Sequence, residues 1–391
     1  MAIKTRIKNS IGKLILVLLI AGGYQLTADE AFSAWLENII DSTNTTIYMS
    51  VDIDTNGYAR ISYLDSNNND LKYAYFDGTN WNIQTIATNN ATGAYTSLKI
   101  DSNGYTHISY QDNFGDIPVL NYASYNGTGW DIQTVGSSGT GLYTSLELDS
   151  NGYAHIATHE EGDMALHYVS YNGTGWNTDV IAYGAGTETS LDLDSDGYAH
   201  ISYKDFEQGA LHYSKYNGTG WNIQAVDTSG ITYQSSIDLD SDGYAHISYV
   251  MGSNLKYASF NGSGWDIQTI STAIGYTSMM LDSQGRPYIS YITIPSGTYT
   301  LNLAHFNGTG WETEVLKTYG YGYPTDTSLS LFNDYVYVTY ANNGDLAIIT
   351  NAPQGFVKEP SLNVLGIIIF MLLICLWSGN QRLPLGLWPK S

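Results

Sequence analysis

The chain has 391 residues, 43% of them hydrophobic and 13% aromatic, which excludes a disordered polymer and leaves room for more than one ordinary domain. Charged residues make up only 13%, while Tyr (34) and Gly (40) are abundant, a profile of strands and tight turns rather than of helices. The net charge of −22 is concentrated in the middle: between residues 29 and 350, eight basic residues stand against 36 acidic ones, which excludes nucleic acid and anionic lipid as partners of that body and leaves neutral sugars, cations and basic partners.

Residues 1–28 read as a secretory signal. Lys4, Arg6, Lys8 and Lys13 form a positive start, Leu14 to Ala21 a short apolar helix, and Leu26-Thr27-Ala28 a small-residue cleavage point. No Cys follows, so a lipoprotein signal is excluded; an uncleaved N-terminal anchor is the alternative, and either version exports the body. The next segment, Phe32 to Ile40, has the aromatic, turn and Trp order that recurs later as the opening of a strand.

The body, residues 29–352, is one unit repeated. Turn glycines Gly57, Gly104, Gly152, Gly197, Gly243 and Gly285 are spaced 47, 48, 45, 46 and 42 apart. Tryptophans Trp81, Trp130, Trp176, Trp221, Trp265 and Trp311 follow at 49, 46, 45, 44 and 46. In the fourth copy, alternation and turn chemistry predict strands at Ser190–Asp194, Tyr198–Tyr203 and Leu211–Tyr216 and a fourth opening at Trp221. Four short strands per unit of forty-odd residues predict a propeller blade. A seventh copy runs from Ser328 through Tyr335–Tyr340 to Leu346–Thr350 and lacks a fourth strand. Residues 35–40 are expected to supply it, hiding the edges of an open ring. The expected fold is therefore all-β: a seven-bladed β-propeller with four antiparallel strands per blade, closed by an N-terminal strand, with short apolar helices at both termini.

Residues 353–391 form a tail. It carries Lys358-Glu359-Pro360, an apolar run from Val364 to Trp377 that holds the chain's only cysteine, Cys375, and then Arg382 and Lys390. No disulfide can therefore staple the body. The tail resembles the bacterial PEP-CTERM type of sorting tail, with a plain membrane anchor as the alternative. The hairpin Leu193-Asp-Ser-Asp-Gly-Tyr-Ala-His-Ile-Ser-Tyr203 resembles those of NHL-type and FG-GAP-type propellers. Asn217-Gly-Thr-Gly-Trp221 resembles a relaxed Asp-box turn. These resemblances imply the fold and leave the function open.

Several residue sets carry possible chemistry. Asp192, Asp194 and Asp196, then Asp238, Asp240 and Asp242, and less completely Asp52, Asp54 and Asn56, match the first half of an oxygen-ligand loop for calcium. The FG-GAP resemblance implies an acid at the ninth position, where this chain has His200, His246 or Arg60, so ordinary turn capping competes with the metal. No cofactor is expected, calcium being the one candidate. His107, His155, His200 and His246 occupy one repeat position, too far apart across sheets to share an ion, and are expected to make inter-blade hydrogen bonds like the polar networks of WD-repeat blades. Seven serines, Ser50, Ser97, Ser145, Ser190, Ser236, Ser278 and Ser328, also share a position, which argues against one catalytic serine.

Function is expected where the copies disagree, on the rim formed by connections between second and third strands and between blades. Candidate ligand contacts there are Tyr319, Tyr321, Tyr323, Tyr233, His159 and Phe114; candidate catalytic acids are Glu160, Glu161 and Asp163. The leading expectation is an exported, envelope-associated, lectin-like binding module for carbohydrate or protein, held to the membrane through the C-terminal helix if that is retained. The alternatives are a glycoside hydrolase or lyase using those acids, and a structural surface protein.

Overall fold

A computed structural model of the chain describes residues 35–42, 46–88, 92–114, 117–319 and 326–353. Both expected terminal helices, with the signal and the tail, lie outside these residues. Among the described residues no helix is long and apolar enough to cross a membrane. They form 28 strands in seven four-stranded antiparallel sheets, and the fold is a seven-bladed β-propeller. Blade 1 covers 46–88, blade 2 94–138, blade 3 142–183, blade 4 185–227, blade 5 232–272 and blade 6 277–318; blade 7 joins 327–350 to 36–41. Strands are lettered a to d from the axis outward.

Blade 4 shows how the sequence folds. Strand a is Ala185–Leu193, b is Ala199–Asp205, c is Leu211–Tyr216 and d is Trp221–Asp227. The a–b turn forms because Asp194 Oδ1 accepts the N–H groups of Asp196 (3.1 Å) and Tyr198 (2.9 Å), with Gly197 at φ 79°. At the c–d turn, Asn217 Oδ1 accepts those of Thr219 and Gly220, both at 3.0 Å. The expected strands b, c and d are found to within two residues. Strand a begins five residues before the expected Ser190, and that extension shapes the site below.

The ring closes as the repeat requires. Leu36–Asp41 pairs antiparallel with Asp345–Thr350, from Leu36 opposite Thr350 to Asp41 opposite Leu346. Trp35 takes the place of the turn tryptophans: its indole donates to Glu314 of blade 6 (3.1 Å), as Trp130 does to Gln84 (3.2 Å) and Trp311 to Gln268 (2.9 Å). Glu37 adds a lock, accepting from Lys317 of blade 6 (2.6 Å) and from Tyr340 (2.5 Å).

The core lies between blades. Buried hydrophobic side chains sort into seven clusters, one at each interface among the described residues. At the blade 3–4 interface, Leu166 and Tyr168 pack on Leu191, Ile201 and Tyr203, with Trp221 against them. At the closure, Val51, Ile61 and Tyr63 of blade 1 pack on Tyr337, Leu346 and Ile348 of blade 7.

The seven repeated serines explain the ring's inner circumference. Each Oγ accepts the backbone N–H of the residue after the serine of the next blade: Ser50 from Leu98, Ser97 from Leu146, Ser145 from Leu191, Ser190 from Ile237, Ser236 from Met279, Ser278 from Leu329 and Ser328 from Val51, at 2.9–3.2 Å. Innermost strands pair only with strand b of their own blade, so without these acceptors seven inward-turned N–H groups would go unmatched. Ser190→Ala is expected to lower stability by about 1–3 kcal/mol, the usual penalty for orphaning a buried donor. Chemical denaturation would show it, and a shift no larger than that of a surface Ser→Ala control would remove the ring from the account.

Candidate functional site at the mouth of the axial channel

Strand a carries an irregularity just before the ring serine in five blades, where the register slips between Ile47 and Ser50, Ala94 and Ser97, Leu142 and Ser145, Thr187 and Ser190, and Thr232 and Ser235. In four of them the residue two before the serine is left-handed: Tyr48 (φ 50°), Tyr95 (φ 52°), Tyr143 (φ 52°) and Glu188 (φ 56°). A side chain larger than Gly rarely takes this conformation, which costs on the order of 1–3 kcal/mol per residue. The neighbouring blade holds it in place. Thr144 Oγ1 donates to the Tyr95 carbonyl (2.6 Å), Thr189 Oγ1 to that of Tyr143, and Ser235 Oγ to that of Glu188 (3.2 Å).

These bulges turn a ring of unlike side chains into the end of the channel. Tyr48, Tyr95, Tyr143, Glu188, Gln234, Tyr276 and Asp326, with the serine ring beneath, line a cavity of ≈ 290 Å³. Tyr48, Tyr95 and Tyr143 make a continuous aromatic wall, with ring centroids 4.4 and 4.6 Å apart. Glu188 and Asp326 are the acids. Burial pushes Glu188 up to about 7, against the pull of Lys204 and helped by Asp326. Burial also pushes Asp326 up to about 7, although the N–H groups of Thr327 (2.8 Å) and Met49 (3.3 Å) favour its anion. Burial raises the Tyr95 and Tyr276 hydroxyls to about 12, so they stay neutral donors.

Two residues beyond the serines stand Asp52, Lys99, Glu147, Asp192, Asp238, Met280 and Ser330. Asp52, Asp192 and Asp238 repeat the serine's inter-blade clasp, accepting from Ile100 (3.0 Å), Leu239 (2.8 Å) and Leu281 (2.6 Å). Burial opposes the charge on Lys99, but Glu147 and the field of Asp52 and Asp192 outweigh that and raise it, while burial pushes Glu147 up to about 8 against the pull of Lys99. Burial and the neighbouring Asp192 raise Asp238 well above the usual carboxylate range.

The calcium candidates divide between these structural tasks. Asp52, Asp192 and Asp238 are the clasps just described. Asp54, Asp194 and Asp240 cap their own turns through Oδ1 and hold Arg60 (2.8 Å), His200 (3.3 Å) and His246 (3.3 Å) through Oδ2. Asn56, Asp196 and Asp242 donate their N–H groups to those caps. Among the described residues no group of three or more His, Cys, Asp or Glu is placed to hold a metal ion.

The histidines work within their blades, a correction to the expected inter-blade bonds. His107, His155, His200 and His246 bond through Nδ1 to Tyr122, Tyr168, Tyr213 and Tyr257 of their own strand c, and each faces the Asp of its own a–b turn. The link to the next blade is aromatic: Trp176, Trp221, Trp265 and Trp311 meet those tyrosines edge-on at 5.1–5.2 Å. Burial lowers His200 to about 4, and Lys215 adds to this.

The expected loop residues scatter. Tyr233 is exposed beside Gln234, at the edge of the mouth. Tyr319 is buried, its ring edge-on to Tyr340 at 6.1 Å, so it offers no face to a ligand. Tyr321 and Tyr323 lie outside the described residues. Phe114 ends strand b of blade 2, paired with Ile117. His159 is buried, its Nδ1–H donating to the Ala185 carbonyl (3.1 Å) and its ring 6.3 Å from Tyr143; it backs the aromatic wall from behind. Glu160 caps its own loop by accepting from Gly162 (3.0 Å) and Asp163 (2.7 Å), while Glu161 and Asp163 are exposed, and none of the three lines the axial cavity. The mouth residues carry the signal of copy disagreement, reading Tyr, Tyr, Tyr, Glu, Gln, Tyr, Asp around the ring.

The sequence matches no family model and no curated protein. Among solved structures it is similar to YCF48 bound to a D1 peptide (13% identity, 84% of this chain and 96% of that one, TM-score 0.52). It is also similar to a protein of unknown function from Dyadobacter fermentans (12%, 80% and 97%, 0.49) and to the NanB sialidase of Streptococcus pneumoniae (14%, 85% and 73%, 0.43). The likeness is one of fold.

Glu188 provides a test of the mouth's electrostatics. An acid raised to about 7 in the fold holds its proton while the unfolded chain, near 4.5, has released it. Its contribution is therefore most favourable below pH 4.5 and is lost as pH rises to 7. Glu188→Gln should match wild type in stability at pH 4.5 and exceed it at pH 8, by up to about 3 kcal/mol; equal stabilities at pH 8 would contradict this. A second expectation concerns the turns. With their carboxylates engaged by backbone and histidine, neither calcium nor a chelator should move the melting temperature; a calcium-dependent rise would return a metal to these hairpins.

Proposed function

We propose that this protein is an exported, envelope-associated binding module that takes a protein or peptide segment on the rim around the axial cavity. The observation that carries this reading is the placement of exposed apolar side chains. Ile117, Met164, Tyr183, Phe206, Ile231, Tyr233 and Ile294 are all exposed on the connections of that rim or at the strand ends beside them. The opposite rim exposes only the repeated turn tyrosines Tyr105, Tyr198 and Tyr244 among the large apolar residues described. Apolar residues differing from blade to blade on one face are the mark of a recognition surface.

The rim is also preorganised. Ala185 donates to Met164 (3.0 Å), Phe206 to Gly184 (2.8 Å), Thr232 to Gly209 (2.7 Å) and Gly252 to Ile231 (3.0 Å), so connections of blades 3, 4 and 5 form one bonded platform. Such a platform orders little on binding. The similar structure of YCF48 holds a D1 peptide; the reading here rests on this chain's own rim. Export to the envelope follows from the two terminal segments and is part of the proposal.

One observation favours a second reading, a carbohydrate-active enzyme. Glu188 and Asp326 share the cavity and are both raised to about 7, which suits a general acid. That reading moves the catalytic pair away from Glu160 and Glu161.

Peptides selected from a random display library against the full-length protein should lose affinity at least tenfold on Phe206→Ser with Tyr233→Ser, and keep it on Tyr105→Ser with Tyr198→Ser. Peptides insensitive to both pairs would overturn the rim as the surface. Hydrolysis or cleavage of a glycan, abolished by Glu188→Gln, would replace the module by the enzyme.

A further inference from the structure

We infer that the axial cavity is a receptor for one ammonium group on an alkyl stem, such as the side chain of a lysine in the bound segment. This rests on the reading of the surrounding rim as a protein-binding face and names what enters its centre.

The cavity itself carries the argument. At about 290 Å³ it lies at the lower end of small-molecule pockets, with room for one long side chain and its water. Its upper ring has four tyrosines, one Gln and two acids, and no cation. Neither nearby cation is among the residues that line it, although Lys204 exerts a field on Glu188. Lys99 lies beyond the serine ring, paired with Glu147, and Lys204 is on strand b of blade 4, behind the lining. The Glu188 carboxylate accepts no hydrogen bond from the described residues, so its oxygens are free for a ligand donor. A stem passing Tyr48, Tyr95 and Tyr143 would contact aromatic carbon along its length, and an ammonium group near aromatic rings is attracted by them. Backbone geometry points the same way. Three of the four tyrosines and Glu188 are the left-handed residues of the bulges, so four of the ten left-handed non-Gly residues described place this wall and this acid.

The neighbours of the two acids also set a proton linkage. Glu188 faces Asp326, Tyr48, Tyr95, Tyr143, Tyr276 and the outlying Lys204; Asp326 faces Glu188, Tyr48 and Tyr276. The tyrosines stay neutral over pH 6–8, so Glu188 and Asp326 are the groups of the mouth that change state in that window; Glu147, pushed up to about 8 by burial, lies beyond the serine ring. A permanent cation binds best when they are ionised. Its affinity should therefore rise from pH 6 to pH 8, with protons released on binding.

The experiment is calorimetry on the full-length protein with three probes: Nα-acetyl-lysine methylamide, its norleucine counterpart, which lacks the ammonium group, and tetramethylammonium, which cannot titrate. Expected are binding of the lysine probe at least tenfold tighter than that of the norleucine probe, competition by tetramethylammonium, and a tenfold or greater gain in affinity for both cations between pH 6 and pH 8. Glu188→Gln, with its melting temperature checked, should weaken the lysine probe at least tenfold and flatten the pH profile. The wild-type pH profile of tetramethylammonium stands as a test even if that variant folds poorly. Equal binding of the lysine and norleucine probes would overturn the inference. So would rim-dependent peptides that bind equally well without any lysine, which would leave the rim reading intact. Absence of both cation binding and rim-dependent peptide binding would sink the two together.

Discussion

The inner circumference of this propeller is set by one hydrogen bond made seven times. Each ring serine accepts a backbone N–H from the next blade's innermost strand, and Ser328 returns the chain of contacts to Val51. Side chain to backbone is the right chemistry for this place. Innermost strands of neighbouring blades do not pair as a sheet, yet their N–H groups must be satisfied in a confined space. A short hydroxyl reaches across where a longer side chain would fill the channel. With the serines fixed, everything above and below them on strand a is fixed as well, because alternate residues of a strand share a face.

Farther from the axis the same interface is held differently. The tyrosine of strand c receives the next blade's tryptophan edge-on, while its hydroxyl is tied to a histidine and that histidine faces an aspartate of its own blade. Arg60 replaces the histidine in blade 1, bonding Asp54 (2.8 Å) and Tyr73 (3.2 Å), and Tyr73 still meets Trp130 at 5.2 Å. The polar partners thus hold the phenol in place, and the contact between blades is aromatic. Neutral, buried histidine is a consequence of that role, since its proton would have to be accommodated where burial already disfavours charge.

Periodicity made most of this fold readable in advance. The tryptophan spacing placed the strand d openings, and Trp35 in front of an apolar alternation identified the strand that closes blade 7. What the repeat concealed was the start of strand a. In isolation Ala185 to Thr189 has the composition of a loop, and only pairing with Thr187 opposite Lys204 and Ser190 opposite Ser202 makes it a bulged strand. A bulge adds a residue and turns side chains to new directions without leaving a residue type as its signature. The seven mouth residues were therefore hidden in what looked like connections, although their disagreement between copies was visible. The prominent Asp-rich hairpins had the opposite fate: residues repeated with the blades turned out to serve the blades.

Freedom to vary along strand a follows from what each level must do. The serine level cannot change without orphaning a donor. Two residues further in, three blades solve a second clasp with Asp, and blades 2 and 3 place the Lys99–Glu147 pair there, so chemistry at that level is still bound to neighbouring blades. At the mouth the clasp survives in two blades, where Asp326 accepts from Met49 (3.3 Å) and Gln234 from Thr277 (3.1 Å), and it is absent at the four left-handed positions. The left-handed backbone of Tyr95, Tyr143 and Glu188 is held by hydroxyls of the adjacent blade acting on carbonyl groups, and carbonyls are common to every residue type. Structure alone would be best served at these bulges by glycine, which adopts such a backbone without strain. The chain instead carries tyrosine at three of them and glutamate at a fourth. Large side chains held against their backbone preference, at positions where they clasp no backbone N–H of the next blade, are most simply explained by something that enters the cavity and meets them.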